Sequence, residues 1–165
     1  FAVREAQGEY LLFLNNDVEI ITENWLEEML QLCQQKDVGM VGAKLYYTDD
    51  TIQHAGVVVG LGGVAAHVLC KLSRDAEGYM GRLRCVQEIS AVTAACMMVK
   101  TSVFKAVGGF DEELKVAFND IDLCMKVRKY GVKIVFTPYA ELYHYESKSR
   151  GMEDTPEKQL RFPEK

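Results

Sequence analysis

Two short acidic clusters and one late histidine are the residues of this chain whose types and spacing could do chemistry. Asn15-Asn16-Asp17 follows directly on the apolar run Tyr10–Leu14. A carboxylate at the end of a strand can hold a hard divalent cation, which keeps one or two protein carboxylates and fills its other positions with phosphates. The same tripeptide also suits a plain Asn/Asp turn, and by itself favours the turn. The second cluster is Phe118-Asn119-Asp120-Ile121-Asp122. Acids are favoured in a first helical turn, and Asn119 or Asp120 could serve simply as an N-cap, the commoner role. Beside Gly108-Gly109-Phe110-Asp111, however, the cluster could form the rim of a cleft, where an aspartate is a competent base for a hydroxyl. His144 lies in the aromatic segment 141–147. Taken alone it reads as a structural histidine, as do His54 and His67.

Strands and helices must position these groups. Residues 1–7 read as the end of a helix stopped at Gly8, and Tyr10–Leu14 as a strand covered on both faces. Trp25, Leu26, Met29, Leu30 and Cys33 recur at helical spacing, with Asn24 as candidate N-cap and Glu27 three residues later. Strands are expected at Val38–Val41, with an extension at Lys44–Tyr47, and at Ile52–Val59. Residues 60–88 are glycine-punctuated and predict a long, partly irregular excursion. Ala91–Val99 reads as a buried strand, followed by a short helix capped by Thr101 or Ser102 and ended at Gly108-Gly109. A second amphipathic helix spans Asp120–Tyr130, then strands cover Val132–Phe136 and Ala140–His144 with Pro138 between them. From Lys148 the chain turns polar. Strands alternating with helices predict an α/β fold with a mixed, mostly parallel sheet flanked by helices.

The 165 residues allow one domain with a core, and 48% hydrophobic against 26% charged residues disfavours intrinsic disorder. Nineteen Lys and Arg against twenty-four Asp and Glu give a net charge of −5. With no basic run to neutralise phosphates, nucleic acid is not an expected partner. No apolar stretch is long enough to span a bilayer, and the chain reads as soluble. Five widely spaced cysteines, Cys33, Cys70, Cys85, Cys96 and Cys124, suggest reduced thiols and a cytoplasmic setting.

Five blocks in order make a more specific pattern: GEYLLFLNND at 8–17, QHAGVVVGLGG at 53–63, SAVTAACMMVKTSVFKAVGGFDE at 90–112, FNDIDLCMKVRKYG at 118–131 and TPYAELYHYESKSRG at 137–151. Together they resemble the family 2 glycosyltransferases of the GT-A, nucleotide-diphospho-sugar transferase fold, from about Arg4 to Gly151. The likeness is greatest to bacterial enzymes of cell-surface polysaccharide synthesis, including rhamnosyltransferase-like members.

The resemblance implies that Asn15, Asn16 and Asp17 occupy the place of the family's DxD motif, which binds Mg²⁺ or Mn²⁺ and the sugar-nucleotide diphosphate. Asn15 replaces the first acid, leaving Asp17 as the direct metal ligand. Asp120 falls where the catalytic base belongs, with Asn119 in place of the family's Glu. Asp122 is expected to support the helix start. His144 matches a late histidine that in some relatives approaches the metal or diphosphate. The implied reaction is an inverting transfer of a hexosyl group from a UDP-, dTDP- or GDP-sugar donor to a hydroxyl of a saccharide or lipid-linked saccharide.

The family's opening portion, with an Ile-Pro-Thr-Tyr-like segment and an aspartate that hold the base, has no counterpart here. Residues 1–150 therefore read as the C-terminal part of a GT-A catalytic domain and 151–165 as a polar tail of a truncated chain. Such a piece is expected to fold without transferase activity, and its parent to act in the cytoplasm, at the inner face of the membrane through other parts. Its open sheet edge would pair two copies. Two other readings are a non-catalytic binding or assembly module of this fold and a metal-dependent nucleotidyltransferase. The run from TAACMMV through GGFDE to an acidic helix favours glycosyl transfer over the last.

Overall fold

The computed structural model describes residues 2–61, 65–114 and 118–145. The polar tail expected at 151–165 lies outside them. The element order is α1 (Ala2–Glu5), β1 (Tyr10–Leu14), β2 (Val18–Ile20), α2 (Trp25–Cys33), β3 (Val38–Tyr46), β4 (Ile52–His54), β5 (Val57–Val59) and β6 (Ala65–His67). A 3₁₀ turn (Tyr79–Arg84) follows, then β7 (Gln87–Glu88), β8 (Cys96–Lys100), α3 (Thr101–Ala106), α4 (Asn119–Lys129) and β9 (Lys133–His144).

Every residue of β3 is buried, because apolar layers cover both faces of the sheet. On one face Val41, Ala43 and Leu45 of β3 meet Trp25, Met29 and Cys33 of α2. On the other, Met40 and Tyr46 share a core with Val103 and Phe104 of α3 and Leu123, Cys124 and Val127 of α4. Each fully buried side chain of this size contributes about 1.5–3 kcal/mol. Burial also pushes the thiols of Cys96 and Cys124 up to about 12, which suits the expected role of reduced core residues. Cys85, in contrast, is exposed.

The main sheet has the order β1-β8-β3-β9-β2, with β4 on β3 and β7 on β9. Its mixed character matches the sequence reading, but the bias is antiparallel. Among the described strands β3–β9 is the parallel ladder, and β1–β8, β3–β8, β2–β9, β3–β4 and β7–β9 are antiparallel. A run that is apolar on both faces reports burial on both faces, and β8 is buried that way while running antiparallel to both neighbours.

Local departures have local causes. The strand expected over 52–59 is two, β4 and β5, because Gly56 turns the chain at φ +98°, where a Cβ would come within 2.6 Å of Ile89. The strand expected from Ala91 begins at Cys96. β9 runs unbroken past Pro138; the β3 ladder jumps from Gly42–Phe136 to Lys44–Glu141, so the residues around the proline bulge out where its missing N–H costs no ladder bond. Neither expected helix cap forms a side-chain cap: Asn24 donates instead to Glu28 at 3.0 Å, and Thr101 Oγ1 donates to the Gly8 carbonyl at 2.7 Å. Edge strand β1 is not covered on both faces, since Leu12 and Leu14 are exposed.

The 60–88 excursion is strapped to the sheet. Ile52 N–H donates to Leu72 O and Lys71 N–H to Ile52 O, both at 2.7 Å. Arg74 pairs with Glu141 at 3.1 Å, and buried Lys44 donates to the Leu83 carbonyl at 3.2 Å. Burial pushes the Lys44 ammonium down and Glu141 opposes that shift. Among the described residues no helix is long and apolar enough to cross a membrane.

A tight approach in the middle of the sheet is at Gly42, where a Cβ would stand 2.5 Å from Val92. Gly42→Ala is expected to destabilise the fold by roughly 1–3 kcal/mol, as overpacking does, read as a lower urea midpoint. An unchanged midpoint would show that Val92 can give way.

Candidate active site

The ends of β1 and β9 and the start of β8 lie along one edge of the sheet, since β1 and β9 run with β3 and β8 runs against it. The Asn15 N–H donates to Ala95 O at 3.0 Å as β1 ends. The chain then turns through Asn16 and Asp17 into β2, which pairs Val18 with His144, and the Tyr145 N–H donates to Asp17 O at 2.9 Å. The two motifs found far apart in sequence therefore meet.

Their side chains converge. Asn15 Nδ2 lies 3.0 Å and Asp17 Oδ1 3.3 Å from His144 Nε2. Gln53 Oε1 lies 2.7 Å from His144 Nδ1, and Gln53 Nε2 donates to the His144 carbonyl at 3.2 Å. Asp17 Oδ1 is buried without a hydrogen-bond partner. Asn16 is exposed in the turn and does not enter these contacts.

Asp17 Oδ1 and His144 Nε2, 3.3 Å apart, are close enough together that both could hold one divalent cation, the carboxylate as the hard-cation ligand. Among the described residues no three His, Cys, Asp or Glu side chains form a metal cage. A site with these two ligands would leave the cation's other positions for phosphate oxygens and water.

Asp120 reaches the same edge from α4. Its Oδ2 accepts the Ala94 N–H at 3.3 Å and its Oδ1 accepts the Ile121 N–H at 2.8 Å. Ala94 adjoins Ala95, the acceptor of Asn15, so two consecutive residues join the clusters. Neither Asn119 nor Asp120 is the N-cap: that position is Phe118, at φ +63°. Asp122 instead pairs with Lys126 at 2.6 Å, as suits a helix-supporting role. Lys126 also donates to Gly109 O at 3.4 Å, and Phe110 packs edge-on against Phe13 at 4.9 Å. These contacts hold the glycine loop against α4 and β1.

Gln53 was not singled out from the sequence as a site residue; its available signal was membership of the 53–63 block. Its neighbour His54 is fully buried, with Nδ1 2.9 Å from His67 Nδ1. Burial pushes the His54 imidazole well below its usual range, and His67 and His144 add to the shift. Folded His54 is thus neutral while the unfolded chain takes up a proton near pH 6.5. The unfolded state then binds more protons below that pH, so stability falls as pH drops through and below about 6.5. Urea midpoints should fall between about pH 7.5 and about pH 5.5, and by less in His54→Gln. An equal fall in the variant would remove His54 as the cause.

The architecture is that of a GT-A fold. The crystal structure of GalNAc-T7 with UDP, GalNAc and Mn²⁺ matches with TM-score 0.64 at 13% identity, over 87% of this chain and 29% of that one. The model of the glycosyltransferase-like family matches residues 1–163, and the chain belongs to that family. An uncharacterized protein, y4gI, of Sinorhizobium fredii is 57% identical over 98% of this chain and 18% of its own length. The O-antigen biosynthesis protein RfbC of Myxococcus xanthus is 39% identical over 95% of this chain and 12% of its own. The chain therefore spans less than a fifth of either relative.

Proposed function

We propose that this chain is the C-terminal part of an inverting GT-A catalytic domain. The domain transfers a hexosyl group from a nucleotide sugar to a hydroxyl of a saccharide or lipid-linked saccharide in cell-surface polysaccharide synthesis. The observation that carries the reading is the approach of Asp17 Oδ1 to His144 Nε2 at 3.3 Å on the edge that also holds Asp120. Family membership supports glycosyl transfer, the O-antigen relative supports the polysaccharide setting, and the neighbour with UDP and Mn²⁺ supports a metal-bound nucleotide donor.

Asp17 and His144 would hold Mg²⁺ or Mn²⁺, with Asn15 and Asn16 lining the diphosphate side. When bound, the cation supplies charge stabilisation for the departing nucleoside diphosphate. Asp120 takes the proton of the acceptor hydroxyl as its oxygen attacks the anomeric carbon. The bond from that carbon to the diphosphate oxygen breaks on the opposite face, which inverts the centre. The backbone N–H groups of Ala94 and Ile121 orient the Asp120 carboxylate. The open edge of β1, with Leu12 and Leu14 exposed, is where a second copy would pair.

A panel of UDP-, dTDP- and GDP-sugars incubated with the full-length protein and Mn²⁺ tests the reading. One donor is expected to release its nucleoside diphosphate, and chelation to stop the release. Residues 1–165 alone are expected to bind sugar nucleotides weakly, since few contacts beyond the diphosphate would offset the donor's lost freedom. Metal-independent release, or none from any donor, would remove the proposal.

A further inference from the structure

We infer that Gln53 is a positioning residue that keeps the His144 ring protonated on Nδ1, so that the Nε2 lone pair faces Asp17 as a cation ligand. The inference rests on the reading of Asp17 and His144 as the cation site, and gives the 53–63 block a role.

Two contacts carry it. The Gln53 amide faces the His144 carbonyl at 3.2 Å, and a carbonyl only accepts, so the group facing it is the NH₂. The other end of the amide, 2.7 Å from His144 Nδ1, is therefore Oε1. An amide oxygen also only accepts, which places the ring proton on Nδ1. Nε2 then carries a single lone pair, which accepts from Asn15 Nδ2 at 3.0 Å and stands 3.3 Å from Asp17 Oδ1. A cation beside Asp17 would take that lone pair over from the Asn15 amide, which needs no proton to leave the ring. A ligating histidine whose other N–H is held by a carbonyl-type oxygen is the usual means of setting tautomer and orientation.

Gln53 is itself rigidly placed. It is 4% exposed, and its strand is tied to β3 through Leu45–His54 and Tyr46–Ile52. The Ile52–Leu72 and Lys71–Ile52 bonds hold the strand's other side. The 60–88 excursion thereby supports the site from behind.

Removing the clamp has a specific consequence. Without Gln53 Oε1 the ring can move its proton to Nε2 and donate to Asp17, which occupies both ligand atoms at once. The ring nitrogen signals of His144 in ¹⁵N-labelled protein, assigned by their loss in His144→Gln, report the tautomer directly. Mn²⁺-induced broadening of the same signals reports cation binding even when weak. The wild-type protein should show the proton on Nδ1. In Gln53→Met it should shift at least partly to Nε2, and Mn²⁺ affinity should fall about tenfold or more, the size of effect seen for partners of metal ligands.

A wild-type ring protonated on Nε2 overturns the inference without any variant. So does a folded Gln53→Met protein whose Mn²⁺ affinity is unchanged. If the tautomer responds to Gln53→Met but Mn²⁺ never broadens His144 in the wild type, the cation-site reading fails and the hold of Gln53 on the ring stands. Asp17→Asn separates the two further, since it should lower Mn²⁺ binding and leave the proton on Nδ1.

Discussion

Asp120→Asn in the full-length protein should lower transferase turnover by about 10²-fold or more while leaving donor binding nearly unchanged. The substitution removes the group that takes the acceptor's proton and keeps nearly the same volume. Its amide oxygen can still accept from Ala94 or Ile121, the two N–H groups that hold Asp120 now. The start of α4 should therefore remain in place, with an unfolding midpoint close to that of the wild type. Turnover at saturating donor and acceptor, set beside calorimetric donor affinity, separates loss of the base from loss of the site. Near-normal turnover would refute the assignment and pass the role to Asp122. That residue is the weaker candidate, because its carboxylate is engaged by Lys126 at 2.6 Å.

Asp17→Asn should weaken Mn²⁺-dependent binding of UDP or dTDP by about 10²-fold or more, because it removes the carboxylate that would hold the cation. Asp17 Oδ1 is buried, without a hydrogen-bond partner, and directed at the His144 ring. Asparagine keeps nearly the same volume and leaves the Asn15–His144 contact in place, so the midpoint should stay close to that of the wild type. The loss of affinity is therefore separable from unfolding. Calorimetry with and without Mn²⁺ measures both halves: chelation should abolish wild-type binding and change little in the variant. Equal metal-dependent binding by the two proteins would take Asp17 out of the site.

Much of the fold is legible in the chain because side-chain periodicity reports burial. The apolar run over 10–14, the stripe through Trp25, Met29 and Cys33, and the amphipathic stretch after Asp120 all mark elements that the structure contains. Their edges were less legible wherever the backbone departs from regular geometry. Gly56 breaks one expected strand into two, and the bulge around Pro138 lets one strand continue where two were expected. The residue types at 15–17, 120 and 144 announced candidate chemistry, but each also suited a turn, a cap or a structural histidine.

By itself, then, the sequence determined which segments bury apolar faces, which positions carry carboxylates and imidazoles, and, through its ordered blocks, the family. Only the tertiary structure decided which segments become neighbours. Asn15 meets His144 across 129 positions and Gln53 meets it across 91. Both contacts exist because β9 lies beside β3 in the sheet, bringing its last residues to the edge where β1 and β4 also arrive. Strand direction was decided at the same level. A periodic pattern describes the surroundings of one segment, whereas direction and partner depend on how all the strands close around a shared core. The amide that meets the His144 ring reaches the site from another strand.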